Sequence, residues 1–291
     1  MSRFSLLLVS DSHLSPRRPF FNANWAPVVA ASRALAPDLV IQLGDASLNG
    51  ADEEADLQFA RDRHDELAAP WRAIPGNHDI GDNPIPTRRL RQPIDAERRA
   101  RWQRIFGDAW WYEDRGDWRL LGLDAQLLSS DLPERQEQAD ALRHWVREAG
   151  ERPLALFLHK PIFQHRPDGP GAIRRVLNPQ GRRALGDILA SGHLKLVASG
   201  HVHQRRHFRL RGVDYVWAPS SAFFMPDDMQ KRLGDKAVGL IVLEFNGPHV
   251  HARPYRPDGM TDFDLYDFPD AYGDIKSYLE RKRAEEAAAA S

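Results

Sequence analysis

Short runs of apolar residues recur along the chain, and segments with helical spacing of apolar positions lie between them. The runs are rich in Leu, Val and Ile and have the length of strands buried on both faces of a sheet. They lie at Phe4 to Val9, Leu39 to Leu43, Leu120 to Leu123, Leu154 to Leu158, Leu194 to Ala198, Tyr215 to Trp217 and Val238 to Phe245. The helical segments are Trp25 to Leu35, Glu53 to Leu67, Ala96 to Phe106, Gln136 to Ala149 and Arg182 to Ala190. This alternation predicts an α/β fold.

The pattern changes in the last third of the chain, where helical spacing gives way to consecutive strands. These strands are predicted at Val213 to Trp217, Val238 to Phe245 and His249 to Tyr255. We expect them to add antiparallel pairs to the same core. Because no long polar linker or internal repeat interrupts the sequence, residues 1–275 are predicted to form one domain. The alanine-rich residues 276–291 are predicted to be a helix or a disordered tail.

Polar residues follow five apolar stretches at the point where each stretch ends. The five polar segments are Ser10-Asp11-Ser12-His13, Gly44-Asp45, Pro75-Gly76-Asn77-His78-Asp79, His159 and Ser199-Gly200-His201-Val202-His203. In open α/β sheets, ligands bind at the carboxyl ends of the strands, so residues far apart in sequence should meet at one edge. The glycines in these segments suit tight turns that bring the backbone close to a ligand.

The side chains of these segments have the chemistry of a metal site. Imidazole, carboxylate and amide oxygen are ligands for ions such as Mn, Fe, Zn, Co or Ni. A shared carboxylate can hold two cations about 3.5 to 4 Å apart, the separation that suits an in-line displacement at phosphorus. The segments supply seven such ligands and one further histidine, His78. They therefore predict a binuclear metal centre.

The composition narrows the chemistry further. The chain has no cysteine, which excludes disulfides, thiolate metal sites and cysteine nucleophiles. Its formal net charge of -1 gives no global attraction to nucleic acid polymers or anionic membranes. The N-terminal apolar run is too short for a secretory signal, and no run approaches the roughly 20 residues of a membrane span. We therefore expect a cytoplasmic protein without a membrane span.

In this order, the motifs Asp-x-His, Gly-Asp, Gly-Asn-His-Asp, His and Gly-His-x-His resemble the signature of the calcineurin-like metallophosphoesterase superfamily. The resemblance runs from residue 11 to residue 203, with every signature block present. It implies a four-layer α/β/β/α sandwich of two mixed sheets, with the metals at one edge. The implied ligands are Asp11, His13 and His203 for the first metal, Asn77, His159 and His201 for the second, and Asp45 as the bridge between them.

The same resemblance implies roles for residues beside the metals. His78 would contact the phosphate and protonate the leaving oxygen, and Asp79 would orient His78. We expect a hydroxide that bridges the two metals to attack phosphorus in line. The metals and Asn77 would neutralise the phosphoryl oxygens. The expected metals are Mn and/or Fe, with Zn, Co or Ni as alternatives.

Small bacterial members of the superfamily that begin with Asp-x-His-Leu resemble cyclic nucleotide phosphodiesterases, and Asp11 to Leu14 fits that pattern. The chain departs from it at His159-Lys160-Pro161, where those enzymes often carry a second histidine. We expect a phosphodiesterase that acts on cyclic nucleotides or related small nucleotides. The alternatives are a broad phosphomonoesterase or phosphodiesterase on another small phosphorylated substrate, and a non-catalytic scaffold.

Four further residues are candidates for substrate contact. Lys160 would place a positive charge near the phosphate, and His165 would line the pocket from a Pro/Gly-rich loop. Phe223 and Phe224 could form an apolar wall for a base or an acyl group, or part of a homodimer contact. The arginines from Arg88 to Arg104 are interpreted as a solvated helix face rather than a phosphate-steering patch. Histidines outside the motifs, including His64, are given no functional role.

Overall fold

Two large mixed β-sheets dominate the computed structural model, which describes residues 2–84, 91–166 and 175–289. The strands are β1 (Arg3–Val9), β2 (Leu39–Gln42), β3 (Trp71–Ala73), β4 (Trp111–Arg115), β5 (Trp118–Leu123), β6 (Leu154–Leu158), β7 (Leu194–Ser199), β8 (Arg206–Leu210), β9 (Val213–Trp217), β10 (Phe223–Phe224), β11 (Leu240–Asn246), β12 (His249–Tyr255) and β13 (Phe263–Asp264). The first sheet has the order β12-β11-β1-β2-β3 and the second β4-β5-β6-β7-β9-β8. β10 and β13 form a small separate pair.

Helices pack on the outer face of each sheet. The α-helices in the described ranges are α1 (Trp25–Leu35), α2 (Glu54–His64), α3 (Asn77–Ile80), α4 (Ala96–Phe106), α5 (Ala125–Leu128), α6 (Glu134–Ala149), α7 (Pro179–Ala184), α8 (Gly186–Ala190) and α9 (Gly273–Ala289). Val28 of α1 and Ala60 of α2 belong to the core on the outer face of the first sheet. Leu142 of α6 and Ile188 of α8 belong to the core on the outer face of the second sheet.

A third hydrophobic core lies between the sheets. Because side chains alternate along a strand, Leu6 and Leu8 of β1 point into this core, where they join Phe157 of β6. Leu7 and Val9 point the other way and pack in the core beneath α1. The layers are therefore helix, sheet, sheet and helix, which is the predicted fold class.

Most predicted elements are present, and the differences have local causes. The predicted helix from Arg182 to Ala190 is two short helices that meet at Leu185, and the first begins earlier because Asn178 caps it with Pro179 at its first position. β9 does not join β11 and β12; it lies in the second sheet, parallel to β7. β11 and β12 extend the first sheet as an antiparallel pair beside β1.

α9 occupies most of the segment predicted to be a helix or a tail. Within the ranges that the structure describes, no helix has both the length and the apolar character needed to cross a membrane.

His64, at the end of α2, is buried in a cage of aromatic rings. Its ring centroid lies 4.6 Å from that of Trp25, 5.3 Å from Trp71 and 5.8 Å from Phe106. Nδ1 is 2.7 Å from the Ala60 carbonyl oxygen, whereas Nε2 has no hydrogen-bond partner within the described residues. Burial lowers the pKa of His64 from 6.5 to about 4, although the Ala60 carbonyl acts in the opposite direction. The folded protein therefore keeps this imidazole neutral.

We predict that His64 makes the fold sensitive to acid. Because its pKa is about 4 in the folded protein and 6.5 for an exposed histidine of the unfolded chain, the unfolded chain binds more protons between these values. The contribution of His64 to the free energy of unfolding is then complete above pH 6.5 and falls by up to about 3 kcal/mol as the pH drops toward 4. His64→Leu should remove this contribution and make the pH dependence of the unfolding free energy shallower, as measured by urea unfolding at pH 7 and pH 5 in metal-free buffer. An equally steep pH dependence in both proteins would contradict this prediction.

Candidate metal centre

The polar segments at the ends of five strands lie together at one edge of the sandwich. The two sheets meet where the backbone amide of His201 donates to both carboxylate oxygens of Asp11, at 3.2 and 3.0 Å. The segments after β2 and β3 are joined by the backbone amide of His78, which donates to Asp45 Oδ1 at 2.8 Å. His159, after β6, places Nε2 3.2 Å from Asp45 Oδ2. The strand ends therefore meet as the sequence predicts.

One group of donor atoms consists of Asp11, His13 and His203. His203 Nε2 is 3.3 Å from Asp11 Oδ1 and 3.3 Å from His13 Nε2. The other nitrogen of each imidazole has a partner outside the group: His203 Nδ1 lies 2.9 Å from the carbonyl oxygen of Phe223, and His13 Nδ1 lies 2.7 Å from the hydroxyl of Tyr272. With Nδ1 donating outward, each Nε2 directs a lone pair into the group.

A second group surrounds His159 Nε2. This atom is 3.2 Å from Asn77 Oδ1, from His201 Nδ1 and from Asp45 Oδ2. Nδ1 of His159 donates to the Leu43 carbonyl at 2.8 Å, so Nε2 is the nitrogen that faces these three atoms. In the absence of a metal, a proton on Nε2 can be shared with Asp45; once a metal displaces that proton, the Nε2 lone pair and the three neighbouring atoms all face one cation. The residues therefore fit a metal ion, and Asp45 belongs to donor groups on both sides.

The backbone at the ligands is held in a conformation that L residues rarely adopt. Of the seven non-glycine residues with positive φ in the described ranges, five are predicted ligands. These five are Asp11 (φ 51°), His13 (45°), Asp45 (51°), His201 (67°) and His203 (49°). Such conformations are unfavourable by about 1 to 3 kcal/mol each, and they persist only where surrounding structure enforces them. These backbone conformations lower the stability of the fold, and they direct the five side chains toward one point.

The electrostatics favour the protonation states that bind a cation. Burial would raise the pKa of Asp11, but the neighbouring His203 and His159 outweigh it and lower the pKa to about 2. Burial, together with His159, lowers the pKa of His201 to about 3, so its imidazole is neutral. His159 is the exception: burial opposes charge there, but Asp45 and Asp11 raise its pKa to about 9. A metal at this position would displace that proton.

His78 lies beside the two groups. Its half-buried ring has its centroid 4.9 Å from that of His13 and 4.8 Å from that of Tyr272. One ring nitrogen lies within 4.8 Å of donor atoms of His13 and Asp45. The ring is therefore close enough to reach a substrate held at the metals.

Asp79 has contacts that differ from the expected pairing with His78. Its buried carboxylate accepts hydrogen bonds from the backbone amides of Ala46 (3.2 Å), Ser47 (3.0 Å) and Gly76 (2.9 Å), and from the Ser47 hydroxyl (2.6 Å). Burial and the nearby Asp45 raise the pKa of Asp79 to about 6. Asp79 thus joins the turns after β2 and β3, and acts on the ligands through the backbone.

Lys160 also differs from expectation. The side chain is buried, and its ammonium group pairs with Asp82 Oδ1 and lies 3.2 Å from Asn83 Oδ1. Because these contacts hold the charge inside the protein, they disfavour the predicted contact of Lys160 with substrate. They instead tie the residue after His159 to the segment that follows α3.

The other candidate substrate residues occupy different environments. Phe223 is buried, and its ring centroid lies 4.4 Å from that of His203 and 5.0 Å from that of His13. Phe223 therefore packs against the rings of the two candidate ligands. Phe224 is half-buried and His165 is exposed.

The arginine-rich segment from Arg88 to Arg104 is described only from residue 91 onward. Its ion pairs include Arg98 with Asp52 (2.8 Å), Arg104 with Glu54 (2.6 Å) and Arg99 with Glu134 (2.9 Å). Arg99 is buried, whereas the others lie nearer to solvent. Except for the buried Arg99, these pairs agree with the interpretation of the segment as a solvated helix face.

The residue that sequence reasoning missed is Tyr272. It directly precedes α9, far from the motifs, and follows no strand, so no local pattern marks it. Its partner His13 is 259 positions away in the chain.

Comparison with known proteins identifies the family. Residues 4–205 match the family model for calcineurin-like phosphoesterases, a match that covers more than half of the chain and every predicted ligand. The chain belongs to the calcineurin-like phosphoesterase family. The resemblance predicted from the motifs is therefore confirmed.

Two curated relatives are similar to this chain at 28% identity. A bovine (Bos taurus) serine/threonine-protein phosphatase, CPPED1, is 28% identical over 209 residues, which are 68% of this chain and 59% of that protein. A Synechococcus protein named as a probable cyclic nucleotide phosphodiesterase is 28% identical over 207 residues, 69% of this chain and 73% of its own. The chain thus spans less than two thirds of the bovine relative.

A purple acid phosphatase from yellow lupin (Lupinus luteus) seeds superposes with a TM-score of 0.63 at 15% identity, over 90% of this chain and 53% of the plant protein. At this identity, the likeness shows the shared fold.

We predict that Gly76→Ala empties the centre. A methyl group at Gly76 would lie 2.1 Å from Asp45 Oδ1 and would displace the carboxylate that lies near His13 on one side and near His159 and His201 on the other. The metal content after dialysis, measured by mass spectrometry, should fall well below that of the wild type. Gly186→Ala is the matched control, because a methyl group there meets no atom within 4 Å. Equal metal content in both variants would show that Asp45 is not a ligand.

Proposed function

We propose that this protein is a binuclear metal-dependent phosphodiesterase that acts on cyclic nucleotides or related small nucleotides. The observation that carries the proposal is the set of seven buried or half-buried donors, in which Asp45 lies within 4.8 Å of a donor atom of His13 on one side and of His159 and His201 on the other. Nitrogen and oxygen donors of this kind suit Mn and/or Fe. Such metals, when bound, act as Lewis acids and lower the pKa of coordinated water to about 7.

The side chains around the metals have separate tasks in this proposal. Asp11, His13 and His203 would hold one cation, and His159 and His201 would hold the other. Asn77 can direct its Oδ1 toward the second cation while its Nδ2 donates a hydrogen bond to a phosphoryl oxygen.

His78 would supply a proton to the leaving oxygen. Its half-buried ring lies beside that of His13, and one ring nitrogen is within 4.8 Å of donor atoms of His13 and Asp45, so it is close to a substrate held at the proposed ligands. The Asp45 carboxylate accepts a hydrogen bond from the backbone amide of His78. The carboxylate proposed to bridge the two metals therefore also holds the first turn of α3 in place. The proton donor and the metal ligands are thereby held in one frame.

The charge around the site supports a diester substrate. A phosphomonoester carries nearly two negative charges at neutral pH, whereas a diester carries one. Lys160 follows the ligand His159 in sequence, but Asp82 neutralises it inside the protein. The Lys160 ammonium group is therefore not available to compensate the second negative charge of a phosphomonoester. The names of the relatives do not decide this point, because a phosphatase and a probable phosphodiesterase are equally identical to this chain.

We predict that His78→Ala lowers kcat by roughly two to four orders of magnitude, the usual contribution of a general acid. The metal content should remain near that of the wild type, because His78 acts beside the metals. His249→Ala, in an exposed position on β12, is the control and should leave both quantities unchanged. If the metal content of His78→Ala collapses, His78 is a ligand and its assigned role is wrong.

The substrate class is tested with a panel of phosphoesters assayed with Mn and with Fe. We expect turnover of cyclic nucleotides and bis-p-nitrophenyl phosphate to exceed that of nucleoside monophosphates and p-nitrophenyl phosphate. Asp45→Asn should abolish the activity and so assign it to this site. A preference for monoesters would replace the proposal with a phosphomonoesterase, and no turnover of any substrate would favour a non-catalytic scaffold.

A further inference from the structure

The histidines of the metal centre are not all oriented by the same kind of group. Nδ1 of His159 and Nδ1 of His203 each contact a backbone carbonyl, those of Leu43 and Phe223. Nδ1 of His13 instead contacts a side chain, the Tyr272 hydroxyl, at 2.7 Å. A backbone carbonyl is retained in any variant, whereas a hydroxyl can be removed. Of these three ligands, His13 is therefore the one whose orientation depends on the identity of a single distant residue.

The chemistry of an imidazole ligand gives this contact a defined role. A histidine that binds a metal through Nε2 carries its proton on Nδ1, and the acceptor of that proton fixes both the tautomer and the plane of the ring. His13 Nε2 faces His203 Nε2 at 3.3 Å, so Nδ1 is the nitrogen left to donate outward. The Tyr272 oxygen lies where this acceptor is required.

Tyr272 is held in place by its surroundings. Its neighbour Ala271 and the nearby Ile275 are buried in a hydrophobic cluster that includes Phe21 and Phe223. The carbonyl oxygen of Ala271 accepts a hydrogen bond from Arg18, in the loop after β1, at 3.4 Å. The segment before α9 is thus packed against the loop that follows His13, and the ring of Tyr272 has a fixed approach to the site.

The ring of Tyr272 makes a second contact, separate from that of its hydroxyl. Its centroid lies 4.8 Å from that of His78 and 5.9 Å from that of His13. Removing the hydroxyl alone leaves this packing, whereas removing the ring loses both contacts. The two contributions can therefore be separated by substitution.

We propose that Tyr272 is a positioning residue of the metal centre, through which the C-terminal segment sets the affinity of the site at His13 for its metal. This inference rests on the proposed binuclear centre. Tyr272 lies outside residues 4–205, so the contribution comes from a part of the chain beyond the family match. Outer partners of metal-bound histidines typically change metal affinity by about 10- to 100-fold.

The test is calorimetric titration of the full-length apoprotein with Mn²⁺. In Tyr272→Phe we expect one of the two Mn²⁺ affinities to weaken by about 10- to 100-fold, while the other stays near the wild-type value. Excess Mn²⁺ should restore kcat in this variant, because the ring still packs on His78. In Tyr272→Leu, kcat should remain low even with saturating Mn²⁺. Tyr266→Phe, which removes a hydroxyl in the same segment from a ring stacked on Tyr278, should change neither affinity.

The outcomes separate this inference from the proposed function. If the wild type binds two Mn²⁺ ions and Tyr272→Phe binds both as tightly, the role of Tyr272 is overturned and the binuclear centre stands. If both affinities fall together with the urea midpoint, the effect is a general loss of structure, which also overturns the inference. If the wild type itself binds fewer than two ions, the binuclear proposal fails first.

Discussion

Two buried carboxylates, Asp11 and Asp45, impose the constraint on which the edge of the sandwich depends. A buried charge without compensation is strongly unfavourable, so each oxygen must be matched by donors or cations. The backbone amides of His201 and His78 supply part of this compensation, and they come from different segments of the chain. The remaining carboxylate lone pairs lie close to the nitrogen atoms of the surrounding imidazoles, and together these donor atoms fit a metal cation. The convergence of five strand ends is therefore enforced by charge as well as by the packing of the sheets.

The same edge explains how stability is distributed. The core between the sheets is built from alternating apolar positions such as Leu6 and Leu8. Their packing stabilises the strands and takes no part in the candidate metal site. The turns beyond the strands carry the left-handed backbone of the ligands, and Asp79 holds two of those turns together from beneath. The stability of the apolar interior thus allows the unfavourable left-handed backbone conformations to persist in these turns, where they direct the candidate ligands toward one another.

Much of the fold, and the meeting of the candidate ligands at one edge of the sheets, could be predicted from sequence because their signals are local. The run from Leu154 to Leu158 is uniformly apolar, and its strand has these same ends. Strands β4 and β8 at the sheet edges were missed because charged residues interrupt them, so neither contains the apolar run that marks a buried strand. The candidate ligands could be recognised because they directly follow strands. Roles that depend on distant partners could not be read in this way: the pairing of Lys160 with Asp82 and of His13 with Tyr272 arises only when the chain is folded.

The buried pair of Lys160 and Asp82 has a consequence for how this site can change during evolution. Lys160 follows the candidate ligand His159 at the end of β6, and Asp82 lies just beyond α3, the helix that begins at Asn77. Replacing Asp82 alone would leave the buried Lys160 ammonium without a charge partner, and removing one partner of a buried pair destabilises proteins by about 3 to 5 kcal/mol. The residues acceptable at position 160 therefore depend on the residue at position 82. We expect a neutral residue at one position to be accompanied by a neutral residue at the other.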